Sequence, residues 1–376
     1  MPAEPAIRAR WPDGFVETDA DRRAAMVLSH LRGIAPRRLV RLAADERSAS
    51  ATLAAIRRGA AGSDRDREFA DSADPSEMEA ELEVIGARFA VAGDPEYPRG
   101  LFDLSDPPIG LYLRGRAVAH ERPAVAMVGA RNCTSYGAEV ATSLAAGLAA
   151  AGVLVVSGAA RGIDAAAHRG AFRSEGRTAA VLGCGVDVAY PRSSGGLLER
   201  IAQAGTIVSE YPPGTPAEAF RFPARNRIVA AMARAVVVVE GAPGSGSMIT
   251  VDHAHDCGRD VLAVPGPVTG PLSAVPNDLI RSGASLVRDA ADVLAELGLG
   301  EGSGAEVSLE LPDGLAAVLA ALGGPPEGPE TIAERAGGGV GEVLAGLLDL
   351  EMRGLVRRVG GRFERTLLAG GPRVAD

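Results

Sequence analysis

Between residues 124 and 264, short apolar runs alternate with helical stretches, and this alternation leaves few folds open. The runs are 124–128, 153–156, 178–182, 206–209, 235–239 and 261–264, rich in valine, leucine and alanine. Helical patterns at 135–151, 163–172, 194–204, 224–234 and 247–257 separate them. A strand joined to the next by a helix pairs in parallel. Helices on both faces then bury both sides of the sheet, so the runs are apolar throughout rather than alternating. The expected fold is α/β: a Rossmann-like, doubly wound, mainly parallel sheet. Most of the runs are followed closely by glycine, at Gly129, Gly158, Gly183, Gly241 and Gly266. Open sheets of this kind bind ligands at the carboxyl ends of their strands, so these turns are where a site is expected.

The flanks read differently. Residues 1–20 hold polar, proline-containing turns and are expected to be poorly ordered. Residues 21–83 form a small helical module, with a helix expected at 75–82. Within it, Leu31-Arg32-Gly33-Ile34-Ala35-Pro36-Arg37-Arg38-Leu39 reads as helix, glycine turn, helix. That is either a helix-hairpin-helix (SAM-like) unit, whose turn can face a DNA backbone, or plain helical packing, the commoner meaning of so short a match. The α/β core spans 84–298, and a Gly/Ser/Glu-rich linker follows at 299–310. In 311–370, helices at 312–322, 331–336 and 341–352 precede a two-stranded wing over 355–364 that turns at Gly360-Gly361. Three helices and a β-hairpin make a winged helix-turn-helix. Its third helix carries Glu342, Asp349 and Glu351 against Arg353. That is a poor surface for phosphate, and protein contact or a structural role is expected instead.

The whole chain is acidic, at net −9 with a pI near 5.3, so it does not coat nucleic acid by bulk charge. All 39 basic residues are arginine. The lack of lysine excludes a Walker A phosphate site and any Schiff-base chemistry. Against this background Phe220-Arg221-Phe222-Pro223-Ala224-Arg225-Asn226-Arg227 is unusual, and no acid follows before Arg234. Guanidinium forks grip phosphate, and aromatic faces stack on bases. The ordinary alternative is a solvated helix start with two core phenylalanines. Three turns add small residues suited to an extended anion. They are Gly129-Ala130-Arg131, then Ser157 to Asp164 with Gly158 and Arg161, then Gly241 to Ser247 with Gly244, Ser245, Gly246 and Ser247. Unpaired N–H groups at helix starts attract phosphate, and glycine lets backbone approach it. Together with the arginines these turns point to a polyphosphate or nucleic-acid ligand.

Other chemistry is thinly supported. G-x-G-x-x-G, G-x-S-x-G and H-E-x-x-H are missing. Asp164, His168 and Ser157 could form a hydrolytic triad, but an aspartate near a helix start more often caps it. On a helix His253 and His255 face apart and only His253 aligns with Cys257, too few ligands for zinc, so no metal is expected. Cys133, Cys184 and Cys257 are odd in number and widely spaced, which suits a reduced cytoplasmic setting. Residues 1–14 hold no apolar core flanked by basic residues, so no secretory signal is expected there. The uncharged run 140–160 reads as helix, glycine turn and strand rather than a membrane span.

One further set of residues falls in a fixed order. It runs Asp94-Pro95-x-Tyr97-Pro98, Leu111-Tyr112-x-Arg114-Gly115, Gly129-Ala130-Arg131, Ser157 to Asp164 with His168, then Tyr190-Pro191 and Ser209-Glu210-Tyr211. Phe222-Pro223-x-Arg225-Asn226-Arg227-Ile228, Gly244-Ser245-Gly246-Ser247-x-Ile249-Thr250 and Val264-Pro265-Gly266 complete it. Over about residues 89–298 this order resembles the DNA-processing protein A (DprA, or Smf) family. The helical N-terminus and winged-helix tail match that family's optional flanks. The resemblance implies a non-catalytic core that binds single-stranded DNA and delivers it to the RecA recombinase during uptake of foreign DNA, without a cofactor. It also implies a homodimer through the core. Carried over by motif, Arg131 and Arg225-Asn226-Arg227 would hold phosphates, Phe220 or Phe222 would stack on a base, and the Gly244–Ser247 loop would close the pocket.

The competing expectation is an enzyme. Related Rossmann-like nucleoside monophosphate phosphoribohydrolases use a Pro-Gly-Gly-x-Gly-Thr loop followed by a catalytic glutamate. Here Met248, Ile249 and Thr250 follow the comparable loop, so the carboxylate that would stabilise an oxocarbenium-like state is missing.

Overall fold

The computed structural model describes residues 10–117, 123–174, 176–299, 311–323, 326–353 and 355–365. It divides into two compact units, Met1–Ser303 and Gly304–Asp376.

The first unit is built on a nine-stranded sheet. Its strands are β1 (Ala87–Val91), β2 (Gly110–Gly115), β3 (Ala124–Val128), β4 (Leu154–Ser157), β5 (Thr178–Leu182), β6 (Thr206–Ser209), β7 (Ala235–Val238), β8 (Asp260–Ala263) and β9 (Ser285–Leu286). They lie in the order β1-β2-β6-β5-β4-β3-β7-β8-β9. From β6 to β9 all neighbours are parallel. β1 and β2 join antiparallel, which sets Tyr112 opposite Ser209. Chain order reverses at β3, which has β4 on one side and β7 on the other. The doubly wound parallel sheet read from the apolar runs is therefore present. The sequence reading missed β1, β2 and β9, because two of them carry arginine (Arg88, Arg114) and the third spans two residues.

Helices α1 (Asp19–Ser29), α2 (Pro36–Glu46), α3 (Ala49–Arg57), α4 (Asp64–Ser72) and α5 (Pro75–Val84) form the N-terminal module. Around the sheet run α6 (Ser135–Ala150), α7 (Ile163–Arg173), α8 (Gly195–Ala204), α9 (Arg221–Met232), α10 (Gly246–Asp256), α11 (Ala274–Arg281) and α12 (Ala290–Glu296). Side chains alternate across β3 as the strand period requires. Val125 and Met127 meet Val140, Leu144 and Leu148 of α6 on one face. Ala126 and Val128 meet Ile228, Val229 and Val251 of α9 and α10 on the other.

At the N-terminus one expectation needs correction, and the two readings of the Gly33 turn can be told apart. Residues 1–9 lie outside the described residues, but the next ones are not loose. Trp11 and Phe15 stack at 4.9 Å and are buried with Leu28, Ile34 and Leu39. Thr18 and Asp21 then close a capping box on α1. Burial would raise the Asp21 carboxyl, but hydrogen bonds from Thr18 and Ser50 outweigh it and hold the group at about 2. The glycine turn at Gly33 does not offer its backbone to a ligand. The N–H groups of Arg32 and Gly33 both donate to Asp66 Oδ1, at 3.1 and 3.0 Å. Those two backbone donors are therefore already satisfied within the module. The module is tied to the sheet by Arg22–Asp94 at 2.6 Å and by Ser29 Oγ to Tyr112 OH at 2.7 Å.

The second unit contains α13 (Asp313–Ala321), α14 (Pro329–Ala336), α15 (Val340–Met352) and the hairpin β10 (Val356–Val359) and β11 (Arg362–Arg365). The hairpin turns at Gly360 and Gly361, with φ of 58° and 81°, the left-handed pair a two-residue type I′ turn demands. Its core is apolar, built from Leu319, Ile332, Val343, Leu347, Leu350 and Phe363. This is the winged helix expected from the sequence. Beyond Leu299 the expected linker lies outside the described residues.

Candidate nucleic-acid interface

The carboxyl edge of the sheet opens into a cleft of about 440 Å³ at the β3/β7 reversal, the place where open α/β sheets take ligands. Gly129, Arg131, Asp164, Arg225, Asn226 and Ser245 to Ser247 line it. A smaller recess of about 100 Å³ shares Arg131 and Arg225 and adds Gly158, Arg161, Tyr190 and Phe222.

The arginine octapeptide is not a loop. It opens α9, with Phe220 as the N-cap and no side-chain cap bond. A helix N-terminus carries partial positive charge and normally favours acids. Here three arginines and no acid occupy the first two turns. Two of the three are answered from within the protein. Arg221 pairs with Glu218 at 3.3 Å and donates to the Pro216 carbonyl. Arg227 is 7% exposed, bonded to Glu210 at 2.6 Å and near Asp106 at 3.4 Å. That corrects the expectation that Arg227 holds phosphate, since two carboxylates already neutralise it.

Arg225 is the exception. It is 4% exposed, yet among the described residues its guanidinium makes only two hydrogen bonds, Nη1 to the Gly158 carbonyl at 2.9 Å and Nε to Asn226 Oδ1 at 3.3 Å. Burial lowers its pKa against the attraction of Asp164. Guanidinium starts so high that it stays charged, so the site holds a poorly compensated cation. Gly158 is required beneath it. A Cβ there would lie 2.5 Å from an Arg225 Nη atom. Arg131 and Arg161 are exposed at the rim. Arg131 and Arg225 oppose each other electrostatically, which a shared anion would relieve.

The helix starts behave unequally. The α6 start beyond Gly129-Ala130-Arg131 is already occupied. Glu240 accepts from Thr134 N at 2.9 Å and from Thr134 Oγ1 at 2.5 Å. In the Ser157–Asp164 turn, Gly158 N and Ala160 N donate to Asp164 Oδ2, both at 3.2 Å. Burial pushes the Asp164 carboxyl up, opposed by Arg225 and these donors. Backbone phosphate cradles expected at both turns are thus filled by internal carboxylates. At the third turn the α10 start has no side-chain cap. Ser245 Oγ and Ser247 Oγ bond each other at 2.6 Å, and Asn226 Nδ2 donates to the Gly246 carbonyl at 3.2 Å. Gly244, with φ of 76°, shapes the turn. This start faces Arg225 across the cleft.

The two phenylalanines part company. Phe222 is half-buried and stacks on Tyr190 at 5.1 Å, with the Arg131 guanidinium 5.7 Å from its ring centre. Tyr190 is 48% exposed and presents the open face of that stack. Phe220 is 66% exposed and lies outside the cleft. Tyr190 was not among the expected site residues, although Tyr190-Pro191 belongs to the motif series that carries the family resemblance. The triad does not form. Ser157 Oγ donates to the Met127 carbonyl at 2.7 Å, and His168 Nδ1 meets Thr178 Oγ1 at 2.7 Å. Burial drives the His168 pKa down to about 3. A neutral, enclosed imidazole bonded to threonine does not activate Ser157. Among the described residues no cluster of three potential metal ligands gathers.

The family model described as DNA recombination-mediator protein A matches residues 88–298, and the one described as DprA winged helix domain matches 305–362. The putative DNA processing protein DprA of Mycobacterium tuberculosis is 41% identical over 345 residues, covering 85% of this chain and 88% of that protein. The chain belongs to the DNA recombination-mediator protein A (DprA/Smf) family. Protein Smf of Escherichia coli is 37% identical, with 72% of this chain and 75% of that protein covered. The X-ray structure of DprA from Streptococcus pneumoniae superposes with a TM-score of 0.59 at 32% identity, covering 75% of this chain and 99% of that one. DNA processing protein A from Helicobacter pylori, whose structure is described by its single-stranded DNA binding mode, gives a TM-score of 0.51 at 28% identity over 56% of this chain and 95% of that one. The cleft lies wholly within the DprA domain match.

Proposed function

We propose that this DprA-family protein binds single-stranded DNA in the cleft and delivers it to the RecA recombinase, acting as a homodimer through the α/β core and not as an enzyme. Arg225 carries the reading: a buried guanidinium without a carboxylate ion pair among the described residues, at a helix start that already favours anions. Arg131 and Arg161 extend the positive charge to the rim, and Tyr190 on Phe222 offers a stacking face for an unpaired base. The Helicobacter pylori relative, named for single-stranded DNA binding, supports the choice of ligand. Against hydrolysis, Asp164 is engaged by two backbone donors and Ser157 lacks a base.

The test compares single- and double-stranded oligonucleotides of equal length, with and without Arg131→Ala. Preference for the single strand, lost in the variant, is expected. Equal binding of both forms, or release of free base from nucleoside monophosphates, would overturn the reading. For delivery, the protein should speed RecA filament formation on a strand already coated by single-strand binding protein.

A further inference from the structure

A second concavity lies on the same sheet edge, where the N-terminal module meets the core. It measures about 370 Å³. The module supplies Trp11, Ile34 and Arg32, and the core supplies Pro108, Tyr211 and Phe220. Register places it. β2 runs antiparallel to β6, so the residues leading into β2 sit beside the carboxyl end of β6. Tyr211 leaves β6 at that point. From β4, whose turn holds Gly158 and Arg161, the edge passes β5 and β6 to reach β2. Three strand spacings of about 4.8 Å make roughly 14 Å, a gap that a strand of a few nucleotides spans.

Phe220 and Phe222 flank Arg221 at the start of α9, and their positions differ in a useful way. Phe222 lines the cleft recess, and Phe220 lines the groove. The Arg221 guanidinium lies 5.3 Å from the Phe220 ring centre and 5.2 Å from that of Tyr211, joining two aromatic faces at the groove wall. Phe220 is large, apolar and 66% exposed, which the fold itself does not need. The Arg32 side chain reaches the groove bonded to Thr215 Oγ1 at 3.3 Å, with no carboxylate ion pair among the described residues. The groove's own carboxylate, Glu210, is bonded to Arg227 at 2.6 Å, a cation it shares with Asp106. An apolar slot with an exposed aromatic lip and an unneutralised arginine matches a nucleobase with its phosphate better than an uncharged peptide.

Building on the cleft reading, we propose that a single strand held at Arg131 and Arg225 continues along the sheet edge into this groove. A base there stacks on Phe220, and Arg32 meets the backbone. The N-terminal module thereby becomes one wall of an extended strand path.

The test uses the full-length protein and two oligo(dT) strands, one just long enough to fill the cleft and one several nucleotides longer. Phe220→Ala should weaken the longer strand at least about fivefold, the lower bound for losing one stacked base. Arg32→Ala should weaken the longer strand and flatten its salt dependence. Both should leave the short strand within about twofold and the thermal midpoint unchanged, since both side chains are exposed. A 2-aminopurine at the far end of the longer strand should be quenched on binding, and Phe220→Ala should relieve the quenching. If Arg131→Ala weakens both lengths while Phe220→Ala weakens neither, the groove is overturned and the cleft reading stands. If Arg131→Ala weakens neither length, the cleft reading fails, and with it the path that starts there.

Discussion

The sheet edge of the core and the winged helix treat polar groups in opposite ways. Asp164 and Arg225 are buried in the cleft wall, His168, Arg221, Arg227 and Glu240 are buried elsewhere in the same unit, and every buried polar or charged residue among those described lies before residue 304. The winged domain keeps an apolar core and pairs several of its arginines at the surface, among them Arg353 with Asp349, Arg357 with Glu364 and Arg358 with Glu351. The outward face of α15 is instead an exposed apolar stripe of Val340, Leu344, Leu348 and Met352. Buried charge destabilises a fold unless it is paired, so where it is kept incompletely paired a ligand role is the economical explanation. Surface pairs contribute little to stability and leave no charge for phosphate. The contrast teaches that the number of arginines does not locate an anion site. What locates it is which of them is buried without a carboxylate ion pair.

The comparison breaks most readily at Arg225. Arg225→Ala should lower single-strand affinity by roughly 10- to 150-fold, through loss of a charge-assisted contact of ~1.5–3 kcal/mol. It should also lower the thermal midpoint, because the Gly158 carbonyl loses its donor and buried Asp164 loses a nearby positive charge. Arg131→Ala tests the same charge without that complication. A similar loss of affinity with an unchanged midpoint is expected, and the slope of log K against log salt should flatten by about 0.7. Wild-type affinity in both variants would return the arginines to a structural role. Gly158→Ala sharpens the point without removing charge. Its Cβ must displace the Arg225 guanidinium, so binding titrations should show affinity falling about tenfold.

Acid separates the two regions by stability. His168 titrates near 3 when folded and near the ordinary 6.5 when unfolded, so the unfolded chain takes the proton first. Its contribution is complete above about pH 6.5 and is lost as pH falls, at up to about 1.4 kcal/mol per pH unit. Trp11, the single tryptophan, lies in the first unit and reports on it alone. Its urea midpoint should fall between pH 6.5 and 5, and His168→Gln should flatten that fall. The smallest effect is expected in the winged domain. Replacing Arg353 and Arg358 together by alanine should change single-strand affinity by less than about twofold. A loss as large as that of Arg131→Ala would erase the contrast.

Much of this was written locally. Apolar runs closed by glycine specified a parallel doubly wound sheet, because strand and helix periods are short-range properties of the chain. Gly360-Gly361 specified the wing for the same reason, since a type I′ turn needs two residues with positive φ. The order of Gly129-Ala130-Arg131, Phe222 to Ile228 and Gly244 to Thr250 was enough to reveal the family. The sequence could not tell Arg225 from Arg227 two positions later. The difference lies in Glu210, 17 residues before Arg227, and in Asp106 on another segment. Nor could it show that Glu240, 106 residues beyond Thr134, fills the α6 start. Phe220 and Phe222 likewise diverge only once the helix they begin is laid on the sheet. Periodicity is set by neighbours along the chain, and it fixed the fold. Charge compensation acts through space between residues far apart in sequence, so only the tertiary structure decided which arginines remain for a ligand.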